Sequence, residues 1–287
     1  MIDLTLSILS STLIFVVFKL YDTYKVQTLY AIIVNYLVAC IVGLFLYDGS
    51  IQVEVLANTS WFWGPVALGI LFIVIFNLMA RTAQVAGVAV ASVATKMSLA
   101  IPVVFGVVLY NEKLSLLQIL GVILALVAVY LVSLKSKAIT IRKRDLLLPL
   151  LVFFGSGIID TSMKYFEERH LTAQEVPIFS SMIFGFAAIF GILFIGIKAI
   201  RTPLKLNLKN VLGGIALGIP NYFSIYFLIR ALQSDMLNSA AIFTLNNVAI
   251  VLCSTLLGIL AFKERLIPKN WAGIALAIFS IIMVALF

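Results

Sequence analysis

The chain has 287 residues, 63% of them hydrophobic and only 11% charged, with a formal net charge of +8. That is too apolar for soluble domains, which need a charged surface, and it reads as an integral membrane protein. The positive balance does not point to nucleic acid, because the basic residues lie in connections between apolar runs and form no stripe interleaved with aromatics.

The N-terminal MIDLTLSILSSTLIF has neither a basic leading region nor a small-residue cleavage site, so it is read as a first span rather than a removed signal. Mainly apolar runs follow at 4–21, 27–47, 61–80, 86–110, 115–134, 146–166, 174–197, 210–231, 238–262 and 267–287. Each can cross a hydrocarbon core of about 30 Å as a helix and exceeds the length of a barrel strand. The expected fold is an all-α integral membrane bundle of ten transmembrane helices. Cys40 and Cys253 fall inside apolar runs, and the single histidine, His170, is flanked by loop acids without ligand spacing. No disulfide framework, metal, cofactor or catalytic residue is expected.

Lysine and arginine concentrate in one set of connections: Lys25, Arg81, Lys135, Lys137, Arg142, Lys143, Arg144, Lys198, Arg201, Lys205, Lys209, Lys263, Arg265 and Lys269. The opposite set carries Lys113, Arg169 and Arg230 beside Asp48, Glu54, Glu167, Glu168, Glu175 and Asp235. The basic set is expected in the cytoplasm, which places both termini outside the inner membrane.

An internal repeat organises the chain. Ala67-Leu68-Gly69-Ile70 recurs as Ala216-Leu217-Gly218-Ile219, and Arg81 as Arg230 at the same offset. After a three-residue slip, Gly106 matches Gly258, Glu112-Lys113-Leu114 matches Glu264-Arg265-Leu266, and Gly121 matches Gly273. Residues 1–134 and 146–287 thus form two five-helix halves joined by a basic cytoplasmic linker, 135–145. Because five is odd, the halves must enter the membrane in opposite senses, the inverted-repeat plan of many secondary transporters.

On these two halves, the corners NEKL at 111–114 and FKERL at 262–266, and a glycine early in helices 5 and 10, the chain resembles the EamA-like branch of the ten-helix drug/metabolite transporter superfamily. The resemblance covers essentially the whole length. It implies a central cavity lined mainly by helices 1, 3, 4, 6, 8 and 9, alternating access by rocking, and helices 5 and 10 at the periphery. Small multidrug antiporters of the superfamily use a buried glutamate in helix 1, whereas helix 1 here has no acid beyond Asp3 at its edge. That absence favours a substrate with a carboxylate or phosphate over a cationic drug.

The residues themselves supply candidates for the site. Lys96 lies about ten residues from the nearer end of helix 4, roughly 15 Å, too far to snorkel. An ammonium there costs about 2.5–3.5 kcal/mol on insertion scales, so it faces a cavity or is paired by a neighbouring helix. Ser92 and Thr95 share its face at i, i+3, i+4 spacing. Helix 9 carries Thr244, Asn246 and Asn247 at the matching depth, with Val248 opposite Lys96 in the repeat. Helix 8 contains GIPNYFSIY, where Pro220 frees a carbonyl and kinks or breaks the helix beside Asn221, Tyr222, Ser224 and Tyr226; helix 3 has Asn77 at the position equivalent to Tyr226, and helix 4 has its own kink candidate in Pro102. Asp160 precedes Lys164 by four residues, which suits an intrahelical ion pair or, alternatively, proton coupling. Glu112 and Glu264 complement the N-termini of helices 5 and 10.

The expected function is a secondary transporter, an exporter by expectation, of a small anionic or zwitterionic metabolite such as an amino acid or organic acid. The alternatives are a membrane-embedded enzyme or a scaffold subunit acting on lipid-linked substrates. The expected partners are a small-molecule substrate and the lipid bilayer, with the chain a monomer or weak homodimer.

Overall fold

The computed structural model describes residues 1–49, 54, 56, 58–85, 94–110, 113–133, 147–200, 207–234, 236–262 and 267–286. Ser92, Glu112, Glu264 and the linker 135–145 lie outside these residues. The described chain is helical: α1 (Ile2–Tyr24), α2 (Thr28–Phe45), α3 (Trp63–Val85), α4 (Ala100–Tyr110), α5 (Leu116–Ser133), α6 (Leu147–His170), α7 (Val176–Ala199), α8 (Leu208–Leu232), α9 (Ser239–Phe262) and α10 (Pro268–Leu286). Thr28–Phe45, Leu147–His170, Val176–Ile197 and Leu208–Leu232 are long and apolar enough to cross a membrane. The other apolar stretches among the described residues are shorter, 10–17 residues.

Small polar residues open these helices where the apolar runs begin. Asn207 caps α8 by accepting from Lys209 N at 3.1 Å, and Asn238 accepts from Ala241 N at 2.8 Å at the start of α9. Before α5, Ser115 Oγ accepts from Gln118 N while Gln118 Oε1 accepts from Ser115 N, a reciprocal capping box. The outer surface is apolar, with Phe105, Val108, Leu116, Ile123, Ile197 and Leu260 exposed, which suits lipid and not water.

Eight helices pack as a closed ring in the order α1, α8, α2, α7, α3, α6, α4, α9 and back to α1. The remaining pair, α5 and α10, pack along each other and against α9. They run antiparallel: Ser280 Oγ donates to Gly121 O at 2.8 Å, and Asn270 Nδ2 donates to Leu131 O at 2.9 Å. Helices α2 and α7 are also antiparallel, since Gly43 and Cys40 meet Ser181 and Gly185, while Ile33 meets Gly191. The largest apolar core lies on the α2, α3, α6, α7 and α8 side, around Tyr36, Phe72, Phe179, Phe184 and Tyr222.

Glycine sets how closely the ring closes at two matched positions. A Cβ on Gly218 would lie 2.8 Å from the backbone oxygen of Asn35 in α2, and one on Gly69 would lie 2.8 Å from Ala187 N in α7. Backbone atoms cannot step aside as a side-chain tip can, so only glycine permits these approaches.

The two helix corners that follow α1 and α6 are fastened across the ring. Between α1 and α2, Gln27 N donates to Asn210 Oδ1 at 2.9 Å, and Tyr21 Oη donates to Gly213 O at 2.7 Å, tying that corner to the start of α8. Between α6 and α7, Glu175 accepts from Trp61 Nε1 at 2.9 Å and from Thr172 N and Oγ1, tying that corner to the entry of α3. Burial pushes the Glu175 carboxyl up, but these donors outweigh it and hold the group below the usual carboxylate range.

Gly218→Ala and Gly69→Ala are each expected to cost about 1–3 kcal/mol by overpacking, read as a lower Tm of the purified protein. Gly196→Ala should not lower Tm, because nothing lies within 4 Å of its added Cβ and alanine is the better helix former. For Glu175, a depressed folded-state pKa stabilises above the unfolded value of about 4.3 and is lost as pH falls toward the folded one. Glu175→Gln should therefore lower Tm at neutral pH, and the gap to the parent protein should close as pH drops below about 4.

Candidate functional site

The site begins with a break in the helix that carries Lys96. Residues 94–97 are helical, Ser98 and Leu99 form a turn, and α4 resumes at Ala100. Pro102 has no N–H to give to Ser98 O, four residues earlier, and that carbonyl is bonded instead by Ile101 N at 2.9 Å. Leu99 N similarly reaches Lys96 O at 3.4 Å. The tightened turn sits immediately beside the lysine. The other proline behaves differently: α8 runs unbroken through Pro220, flanked by the close approach of Gly218 to α2 and by the bond from Asn221 to Asn35. Of the two kink candidates, Pro102 carries the broken turn and Pro220 lies within a continuous helix.

Lys96 is buried, and its Nζ donates to Asn247 Oδ1 of α9 at 3.2 Å. Its other strong electrostatic partner is Asp160 of α6, and each group acts on the other. From α9 the polar contacts continue around the ring. Ser7 Oγ of α1 lies 3.3 Å from Asn246 Oδ1 and 2.9 Å from Ser224 O of α8. One turn earlier, Asn221 Nδ2 donates to Asn35 Oδ1 of α2 at 3.0 Å, and Ser224 Oγ donates to Asn221 O at 2.8 Å. Six ring neighbours, α2, α8, α1, α9, α4 and α6, are therefore linked by buried polar groups. The other arc, through α7 and α3, is closed by aromatic packing, with Tyr36, Phe72, Phe76 and Phe184 ring against ring.

The candidate residues divide accordingly. Lys96, Asn247, Asn246 and Asn221 belong to the polar arc, and Thr95 lies half-buried next to Lys96. Thr244, one turn before Asn247, is buried, and its hydroxyl has no hydrogen-bond partner among the described residues. Asn77 Nδ2 donates to Ile73 O of its own helix at 2.6 Å. Tyr222 belongs to the aromatic arc, stacked on Tyr226 and donating to Pro177 O at 3.5 Å. Tyr226 meets Arg230, whose guanidinium also reaches Asp3 at 3.5 Å. Lys164 does not pair with Asp160. Its Nζ lies 3.1 Å from Glu167 Oε2 and 2.8 Å from Glu168 Oε2, so two carboxylates on the C-terminal side outcompete the one behind.

Sequence reasoning passed over Asn35 and Ser7. A carboxamide in the middle of so apolar a span as α2 carries the same signal as Lys96 and could have been found by it. Ser7 carries no such signal, because a serine hydroxyl can bond its own helix anywhere in a membrane.

Among the described residues no group of three or more His, Cys, Asp or Glu side chains could hold a metal ion. What the arrangement can do is hold an ionic or strongly polar group inside an apolar shell. The ammonium, the carboxamides and Asp160 together offer donors and acceptors at one depth.

Residues 2–134 match the model of the EamA-like transporter family. An uncharacterized protein of Haemophilus influenzae is similar at 28% identity over 285 residues, 97% of this chain and 96% of that one. A solved crystal structure shares the fold at a TM-score of 0.74, with 14% identity over 99% of this chain and 98% of that chain.

Because Asn247 gives the buried ammonium an acceptor, Asn247→Leu should lower Tm, with roughly 1.5–3 kcal/mol lost for a bond to a charged group. Adding Lys96→Met should recover much of that loss, so a double-mutant cycle by thermal or denaturant unfolding should show coupling between the two positions rather than additivity.

Proposed function

With residues 2–134 in the EamA-like transporter family, whose members are multi-pass membrane proteins, we propose that this chain is a secondary carrier for a small anionic or zwitterionic metabolite. Carriage by alternating access is the mechanism, with export the direction. The observation that carries the reading is the buried Lys96–Asn247 contact beside a broken turn in helix 4, with Asp160 as its charged neighbour. Broken helices at mid-depth are where carriers bind ions and polar substrates, because the interrupted backbone supplies extra donors and acceptors.

In this reading Lys96 binds the substrate's carboxylate or phosphate, and Asn246, Asn247, Asn221, Thr95 and Thr244 complete the polar lining. The orphan hydroxyl of Thr244 is a donor that a substrate oxygen would satisfy. Asn77, Tyr222 and Tyr226 line the route rather than the charged centre. Substrate and Asp160 compete for the ammonium, so binding at Lys96 is linked to the charge on Asp160 and hence to proton coupling. Lys164 stays with its two glutamates.

Several features support two inverted five-helix halves, 1–134 and 146–287. The equivalent helices α2 and α7, and α5 and α10, each pair antiparallel, and the matched Gly69 and Gly218 play the same part against α7 and α2. Exchanging the halves also maps the α1–α8 and α1–α9 contacts onto α6–α3 and α6–α4, which are present. In the proposed orientation the basic linker lies in the cytoplasm, both termini lie outside the inner membrane, and the chain works as a monomer or weak homodimer.

Reconstituted protein with Lys96→Met should lose uptake of the anionic or zwitterionic substrate found by ligand-induced thermal stabilisation, and Asp160→Asn should flatten the pH dependence of the rate. Unchanged affinity and rate in Lys96→Met would defeat the proposal.

A further inference from the structure

We infer that the groove between the C-terminal ends of α4 and α6 binds an anionic phospholipid, with Arg169 holding the headgroup phosphate. The groove has a volume of about 510 Å³, the size of a site for an organic molecule rather than a bare ion. It is lined by Leu109 of α4 and by Tyr165, Arg169 and His170 of α6. The two helices touch below it, where α6 has a glycine: a Cβ on Gly157 would lie 2.7 Å from Ile101 Cβ of α4. Leu109 and Tyr165 each lie eight residues further on, roughly 12 Å along their own helices, so α4 and α6 run parallel from this contact to the groove.

The surface leading up to the groove points to what fills it. Phe154, Ile158, Ser162, Tyr165 and Arg169 follow one another at four, four, three and four residues, which places them on one face of α6. Phe154, Ile158 and Tyr165 are exposed, as is Phe105, one turn before Leu109 on α4. Because α6 is long and apolar enough to cross a membrane, acyl chains cover such a face. Toward the helix end the face changes from hydrocarbon to hydroxyl, then to phenol and guanidinium, over roughly 16 Å from Ile158 to Arg169. A phospholipid presents acyl chain, ester and phosphate in the same order, and tyrosine is enriched at the depth of the headgroups. A free anion would use only the last of these groups.

The charge at the top of this face is uncommitted. Arg169 is exposed and makes no ion pair or hydrogen bond among the described residues. The nearby acids are engaged elsewhere: Glu168, its neighbour in sequence, lies 2.8 Å from Lys164 Nζ, and Glu175 accepts from Trp61 and Thr172. A guanidinium carries five donors in a rigid plane that suits two phosphate oxygens at once. His170 has a different part. Its Nδ1 lies 3.1 Å from Ser60 Oγ and its Nε2 3.5 Å from Tyr165 Oη, and its ring stands edge-on to Tyr165 at 5.5 Å between centroids. It thereby holds the tyrosine as a wall of the groove. A headgroup with net negative charge satisfies Arg169, whereas the ammonium of a zwitterionic head would bring a second cation beside it. The groove lies on the lipid-facing side of α6, and the inference does not rest on the carrier reading above.

The test uses the full chain, purified in detergent and stripped of lipid, with dioleoylphosphatidylglycerol or dioleoylphosphatidylcholine added and the stepwise affinities read by native mass spectrometry. Phosphatidylglycerol is expected to show a tight step that phosphatidylcholine lacks. Arg169→Gln should weaken that step at least about tenfold, the worth of one charge-assisted hydrogen bond. Its Tm without lipid should match the parent's, because the side chain is exposed and unpaired. Lys113→Gln, which removes another exposed cation from the same set of connections, should leave the step as in the parent. The proposal is overturned by equal stepwise affinities for the two lipids, by an unchanged set of phosphatidylglycerol affinities in Arg169→Gln, or by an equal loss in Lys113→Gln, which would mean diffuse attraction to surface charge. Displacement of the lipid by an equal concentration of sodium phosphate would mark a free-anion site and would also overturn it.

Discussion

An ammonium held between apolar helices has to be given its hydrogen-bond acceptors by the protein, because hydrocarbon offers none. Lys96 imposes that requirement here, and the packing of the ring follows from it. Asn247 supplies the acceptor from α9, and Asp160 supplies the opposing charge from α6. Neither is adjacent in sequence, so the helical turn that carries Lys96, just before α4, needs α6 and α9 beside it, and those are the ring neighbours of α4. Asn246, beside Asn247, lies 3.3 Å through its Oδ1 from the Ser7 hydroxyl, which also reaches Ser224 O of α8, the helix whose Asn221 bonds Asn35. A buried polar network is tolerable only when its members find partners, and this one does so by extending over six helices.

Close approach of backbones makes such an extended network possible. Gly218 brings α8 against α2 at the level where Asn221 meets Asn35, so a larger residue at 218 would separate the two carboxamides as well as the helices. On the opposite arc Gly69 lets α3 settle on α7, and the space is filled by stacked and edge-on aromatic rings rather than by polar groups. The ring is thus closed by two different chemistries.

The ionic groups of α6 show how charge is sorted by depth. Lys164 could pair backward with Asp160 or forward with Glu167 and Glu168, and local spacing allows both. The forward pair has two carboxylates near the helix end sharing the ammonium, while Asp160 interacts electrostatically with Lys96. A pattern of i, i+4 charges states only which pairs can form. The neighbouring helix decides which do.

Much of the fold was legible from the chain alone. Ten helices could be read because water-averse runs longer than a barrel strand admit a helix as the backbone solution. Lys96, Asn246 and Asn247 stood out because polar side chains in apolar runs are costly enough to need a reason. What the sequence could not carry was the identity of partners distant along the chain: that Lys96 would meet Asn247 and Asp160, that Ser7 would join α1 to α8 and α9, or which of the two kink candidates, Pro102 and Pro220, would mark the broken helix. Those outcomes depend on which helix faces lie against each other. Burial cost is a property of one residue and is written locally, whereas the partner that offsets it is fixed only when the ring closes.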